Sequence, residues 1–357
     1  MSALFSPLTL RSLTLRNRVG VSPMCQYSSE NGFATDWHLV HLGAFATGGA
    51  GLVITEAAAV TPEGRISPQD LGIWDDAHIP MLRRITDFCR AQGTVMGIQL
   101  AHAGRKASTR RPWEQPGGTV AVAEGGWDNV MAPSALPFAP NYPSPHELSL
   151  EGIAHVIASF RAAARRAFEA GFQIIELHAA HGYLLHEFLS PIANTRTDHY
   201  GGSFENRIRL TLEVTDAVRA VWPDELPLIV RISATDWAEG GWNVEESVQL
   251  ATQLHARGVD LLDCSSGGLA AHQQITIGPG YQVPFARRIR AESNVPTAAV
   301  GLITDATQAE RIVADGSADM VFLARELLRN PRWPLLAAHA LGASITWPPQ
   351  YERARPR

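Results

Sequence analysis

The stretch FQIIELHAAH, Phe172 to His181, decides the architecture. Its apolar residues run on without the in-and-out alternation of a half-buried strand, then give way to polar chemistry. Continuous runs of this kind are the mark of parallel strands buried on both faces. Seven more lie along the chain: NRVGVSPM (17–24), GLVITEAAAV (51–60), TVMGIQLAH (94–102), LPLIVRIS (226–233), VDLLDCSS (259–266), VPTAAVG (295–301) and ADMVFLAR (318–325).

Segments with helical period separate them. In LSLEGIAHVIASFRAAARRAFEAG (148–171), the spacing predicts one apolar stripe of Ile153, Val156, Ile157, Phe160, Ala164, Ala167 and Phe168, stopped by Gly171. Asn243 with Glu246 reads as a capping box for a helix ended by Gly258, and Thr304 with Gly316 brackets another. Eight strand–helix units favour a (β/α)8 TIM barrel over a doubly wound sheet, with an N-terminal β-hairpin ahead of the first run. The expectation is a single domain over residues 1–357. Residues 102–147, rich in Pro, Gly, Trp and Ala, form a long irregular insertion after strand 3, expected as a rim or lid.

The bulk composition narrows the function. The chain has 357 residues, 45% hydrophobic and 18% charged, and a formal net charge of −5, which argues against nucleic acid or an anionic membrane as partner. No apolar run reaches the roughly 18 residues of a bilayer span, and the N-terminus lacks the pattern of a secretory signal. Cys25, Cys89 and Cys264 lie far apart, an odd number with no CxxC pair, which fits a reducing cytoplasm.

In such a barrel, chemistry sits at the C-terminal ends of the strands. There the sequence places Cys25 and Tyr27, Gln99 and His102, His178, His181 and Tyr183, then Arg231 and Arg325. His178 and His181 invite a metal reading. The other strand ends, however, offer Cys, Gln and Arg, Glu176 is expected to point away from His178, and paired arginines suit an anion, so no metal is expected. Gly301 after strand 7, with Ala324 and Arg325 after strand 8, falls where barrels bind phosphate. Arg231 and Gln99, deeper in the rim, extend that site towards an elongated phosphorylated ligand. No GxGxxG follows strand 1, so a separate Rossmann nicotinamide site is not indicated.

LFSPLTLRSLTLRNRVGVSPMCQYS (4–28), ELHAAHGYLLHEFLSPIANTRTDHYGGSFENRIR (176–209) and VGLITDATQAERIVADGSADMVFLARELLRNP (300–331) resemble the old yellow enzyme family of FMN-dependent ene-reductases. Within it, the chain is similar to the thermophilic-like, xenobiotic reductase A-like branch. The resemblance implies tightly bound FMN, with NADPH or NADH as hydride donor and electron-poor alkenes such as enones and nitro compounds as substrates. By position, Ser22, Pro23, Met24 and Cys25 would run beside the flavin, Ala57 and Gln99 touch its edge, and Arg231 face N1 and O2. Gly301, Ala324 and Arg325 would grip the phosphate. His178 and His181 would bind the substrate's activating oxygen, Tyr183 donate the proton, and Tyr27 and Cys25 contact substrate. The tail from 340 to 357 resembles one that carries an arginine, here Arg353, into the neighbouring subunit's site, implying a homodimer or a tetramer of dimers. Two positions depart from the pattern. Ala324 stands where glycine is common, tolerable if its φ is negative, and residues 299–302 carry no aromatic, so substrate preference does not transfer. A metal-dependent barrel hydrolase and a flavoprotein without efficient turnover are the competing classes.

Overall fold

The computed structural model describes residues 2–356. Its centre is a closed barrel of eight parallel strands: β3 (Val19–Val21), β4 (Leu52–Ala59), β5 (Val95–Ala101), β8 (Ile174–Ala179), β9 (Leu228–Ser233), β10 (Leu261–Ser265), β11 (Thr297–Ala299) and β12 (Met320–Leu323), which returns to pair with β3. Each of the eight apolar runs is a barrel strand.

Helices α1 (Asp36–Thr47), α2 (Ile79–Ala91), α3 (Leu150–Glu169), α4 (Leu184–Leu189), α5 (Phe204–Arg219), α6 (Val244–His255), α7 (Val283–Ser293), α8 (Ala306–Ala314), α9 (Arg325–Arg329) and α10 (Trp333–Ala340) fill the connections. Their inner faces bury against the strands. On α3 these are Ile153, Val156, Phe160, Ala163, Ala164 and Ala167. Phe168 departs from the expected stripe, being 51% exposed and set edge-on to Trp222. The Asn243–Glu246 capping box forms as expected. On α8 the cap is Asp305 rather than Thr304, because the Asp305 carboxylate accepts from Gln308 N–H at 3.0 Å.

Strands β1 (Leu8–Leu10) and β2 (Leu13–Leu15) pair antiparallel as the N-terminal hairpin. Leu10 and Leu15 join Leu52, Ile174, Ile229 and Phe322 in an apolar cluster of their own. Leu52, Ile174 and Ile229 sit at or near the N-terminal ends of their strands, as does Met320 of the same cluster, so the hairpin stops the barrel at its base. The opposite end is left for chemistry. There the 102–147 insertion folds as turns, with the short strands β6 (Met131–Ala132) and β7 (His146–Glu147) near its end. A small apolar cluster of Ala103, Ala107 and Val130, with Trp127, packs it against Ile66 and Tyr183.

Candidate active site

Register brings the polar residues to one level. Ala57 of β4 is opposite Gln99 of β5, and Gln99 is opposite Glu176 of β8. A register shift between Ile54 and Ala57 turns β4 at this point. His178 of β8 is level with Arg231 of β9, and Arg231 with Asp263 of β10. The expectation for Glu176 is overturned. It sits two residues before His178, so strand alternation puts both on the same face. Its Oε1 accepts from Gln99 Nε2 at 2.7 Å inside the barrel.

Arg231 is not a free cation. Its Nε lies 3.0 Å from Asp263 Oδ2, and both side chains are buried. Burial raises Glu176 and Asp263 above the usual carboxylate range, while Arg231 pulls both back down. The floor is therefore a balanced set of charges rather than one positive point.

The segment after β8 turns sharply. His181 has φ +59, a left-handed conformation unusual for a side chain with a Cβ and common where function over-determines the backbone. Its N–H donates to Ser233 Oγ at 2.9 Å, and its Nε2 lies 2.7 Å from Ser265 Oγ. The His178 and His181 rings are 5.3 Å apart, and His178 and Tyr183 5.0 Å. His178 Nδ1 is buried with no hydrogen-bond partner. Burial, then the charge of Arg231, hold both imidazoles well below their ordinary value, so they are neutral at pH 7. Burial likewise lifts the Tyr183 phenol well above its own.

Ser22 is buried with an unpartnered hydroxyl, and Pro23, Met24, Cys25 and Tyr27 follow it half-buried along the mouth. Burial pushes the Cys25 thiol up, so it is protonated. Tyr27, itself at φ +51, packs edge-on to Trp113 of the insertion, with ring centres 5.6 Å apart. His102 does not join this group. It is buried against Gly64, with Nδ1 accepting from Gly104 N–H at 3.1 Å.

Across the mouth, a cavity of about 270 Å3 is lined by Arg231, Ser265, Gln282, Gly301, Ala324 and Arg325, among others. Gly301 has φ +117, and a Cβ there would come 2.8 Å from Gln282 Nε2, so the turn requires glycine. Ala324 has φ −112, the negative value that lets alanine replace glycine. Among the described residues Arg325 makes no ion pair.

Sequence reading missed Lys106, Ser265 and Gln282. Lys106 Nζ donates to the backbone carbonyls of His181, at 2.8 Å, and Gly268, and lies 5.6 Å from the Tyr183 ring centre. It therefore clamps the loop carrying the two histidines and the tyrosine. Its only signal is a charged Arg105–Lys106 pair just past the end of β5. Among the described residues, no group of three or more His, Cys, Asp or Glu is placed to hold a metal, and no helix is long and apolar enough to cross a membrane.

Residues 3–343 match the NADH:flavin oxidoreductase / NADH oxidase family. The chain is 50% identical over 354 residues to the NADPH dehydrogenase of Geobacillus thermodenitrificans (strain NG80-2), covering 99% of this chain and 98% of that one. It is 47% identical over 352 residues to the NADPH dehydrogenase of Bacillus subtilis (strain 168), covering 98% of each. Among solved structures, it superposes on morphinone reductase with a TM-score of 0.80 and 30% identity, over 98% of this chain and 92% of that one. The old yellow enzyme homologue from Zymomonas mobilis gives 0.78 at 25% identity, over 99% of both.

Proposed function

This chain belongs to the NADH:flavin oxidoreductase / NADH oxidase family and is an FMN-dependent NADPH oxidoreductase of the old yellow enzyme type; we propose that it reduces the activated C=C bond of α,β-unsaturated carbonyl compounds and nitroalkenes. One observation carries the reading. The unpartnered Nδ1 of His178 sits beside His181 and Tyr183, in the same mouth as the anion cavity.

The residues fit FMN. The unpaired Arg325 and the Gly301 and Ala324 backbone suit its phosphate, the Ser22–Cys25 segment, Ala57 and Gln99 suit the ring edge, and Arg231 suits the pyrimidine oxygen. When bound, FMN supplies the hydride to the substrate's β-carbon. His178 and His181 each direct an N–H at the substrate oxygen, where negative charge gathers, as an oxyanion hole does. Because burial keeps both imidazoles neutral, they donate without presenting a full cation that would favour the ground state of an anionic ligand. Tyr183 keeps its proton until the α-carbon takes it. Tyr27 and Cys25 contact substrate, and the 102–147 insertion, anchored on Tyr183 and Ile66, forms the rim.

The same reading extends to assembly. Residues Pro349–Ala354 form a 3-10 turn, and Tyr351 docks on Arg332, whose Nη2 donates to its hydroxyl at 3.2 Å. Arg353 is exposed and, among the described residues, unpaired. An apolar groove lies between α1 and α9, and Trp37, Val40 and Leu328 at its edge are 55%, 70% and 47% exposed. Exposed apolar surface of this kind marks an interface. A homodimer covers it and carries Arg353 into the partner's pocket.

The test is anaerobic reduction by NADPH followed by re-oxidation with a small cyclic enone. Yellow protein that is reduced and then rapidly re-oxidised supports the function. Reduction with no enone-driven re-oxidation overturns it. For assembly, a monomer by light scattering at micromolar concentration, with full activity after deletion of residues 350–357, overturns the dimer.

A further inference from the structure

A small void lies against Tyr183. Its volume is about 10 Å3, and alanines of β4 and β5 and the Gly64–Ile66 turn wall most of it. Among the described residues, the polar side chains that reach it are Tyr183 and Asp70. Space of this size accommodates about one water when polar groups are present to hold it.

Asp70 itself is 2% exposed. Its Oδ2 accepts from Ile66 N–H at 2.6 Å, and its Oδ1 lies 3.3 Å from Ser67 Oγ. Among the described residues no cation pairs with it. The nearby Arg65 guanidinium spends its donors on the Pro62 and Pro68 carbonyls and stacks on Trp74 and Trp127. The other ionisable groups around it are Glu56 of β4, Cys25 and Tyr27 after β3, and Tyr183. Burial and the charge of Glu56 push the Asp70 carboxyl up to about 7. A structural turn residue has no need of that environment.

We propose that Asp70 returns to Tyr183 the proton it spends in each turnover, through one water held in this void. The inference rests on Tyr183 being the proton donor. As the α-carbon–H bond forms, the Tyr183 O–H bond breaks and leaves a phenolate. The water gives a proton to the phenolate oxygen and takes one from the Asp70 carboxylic acid. The Asp70 carboxylate then recovers a proton from solvent, from which only a short path separates it: Ser67 Oγ lies 3.3 Å from Oε1 of the half-exposed Gln69. No electrons move in the relay. Lys106 is the other acid nearby, but its ammonium is engaged by the His181 and Gly268 carbonyls. Asp70 thus acts through Tyr183 and touches neither substrate nor cofactor.

Two measurements test this on the holoenzyme. In the resting protein, a carboxylic-acid C=O stretch absent from Asp70→Asn should fade as pH rises through about 7. In a single turnover with a cyclic enone, the ultraviolet tyrosinate band left by Tyr183 should decay about a hundredfold more slowly in Asp70→Asn than in the parent enzyme. The first re-oxidation should stay near the parent rate, because Tyr183 starts with its proton. Parent decay should slow above pH 7, where Asp70 is charged, the variant should lose that dependence, and Asp70→Glu should restore it. Adding Asp70→Asn to Tyr183→Phe should change nothing. Tyrosinate decay at the parent rate in Asp70→Asn, or no titrating Asp70 acid stretch, overturns the relay. Re-oxidation of Tyr183→Phe at the parent rate instead removes Tyr183 as donor, and is read from the flavin signal alone.

Discussion

In the proposed site, the end of β8 presents side chains that burial keeps uncharged, whereas the ends of β11 and β12 present a backbone turn and a cation. His178 and His181 are held neutral by the same apolar surroundings that leave Nδ1 of His178 without a partner. Gly301 supplies a conformation and Arg325 a guanidinium. The difference matches the two ends of the proposed ligand set. A phosphate is charged at all times and suits a permanent cation. A carbonyl oxygen acquires charge only as it reacts, and suits donors that cost little to bury and strengthen as the charge appears.

The largest test of this contrast is His178→Ala combined with His181→Ala. Losing one donor of this type costs about 2.7–4 kcal/mol of barrier, so enone re-oxidation should fall by a factor of about a thousand or more while FMN stays bound. Loss of FMN along with the chemistry would mean that the two sides are one site energetically. Because both imidazoles stay neutral, the ring resonances of His178 and His181 in the parent should show no titration between about pH 6 and 8. A break near the ordinary histidine value would contradict that. Next in size is Arg325→Ala. A hydrogen bond to a charged group is worth about 1.5–3 kcal/mol, so FMN affinity by fluorescence titration should drop about ten- to hundredfold. Enone re-oxidation at saturating FMN should be unchanged.

Gly301→Ala comes third. Left-handed backbone costs a residue with a Cβ about 1–2 kcal/mol, and here the Cβ also meets Gln282. FMN affinity should fall about five- to thirtyfold, with a lower melting temperature for the holoenzyme. The smallest effect belongs to Ala324→Gly. Its φ of −112 asks nothing of glycine, so stability should fall by less than about 1 kcal/mol, through added freedom of the unfolded chain. A gain in FMN affinity would show that alanine at this position does strain the turn.

The barrel was legible because each strand is a short apolar run with its own punctuation, from GLVITEAAAV to ADMVFLAR. The old yellow enzyme resemblance was legible in the same blocks. What failed was local geometry. Glu176 shares a face with His178 because two residues make one full strand period, and that error hid the charge balance around Arg231. Phe168 lies at the last turn of α3, where the stripe has rotated out to solvent. His102 looked like a site residue by position, yet its backbone turn folds it against Gly64. Ser265 and Asp70 carried no signal and Lys106 only that of its charged neighbour Arg105, since single polar residues have no period and gain meaning only from what folds against them.

The hairpin at the base of the barrel sets an order of events in folding. Residues 8–15 precede every barrel strand in the chain, yet their partners reach as far as Phe322 on the last strand, over 300 residues on. Arg11 is likewise tied to Asp260, through Nε at 2.7 Å, and Ser2 to Glu310 at 2.5 Å. Contacts this far apart in sequence bear the entropy of closing a long loop before they return anything. The base is thus sealed only after the whole ring exists, so the hairpin reports on completion of the barrel rather than nucleating it. Amide hydrogen exchange at Leu10 and Leu15 during refolding should be protected last, after β4, β5 and β8.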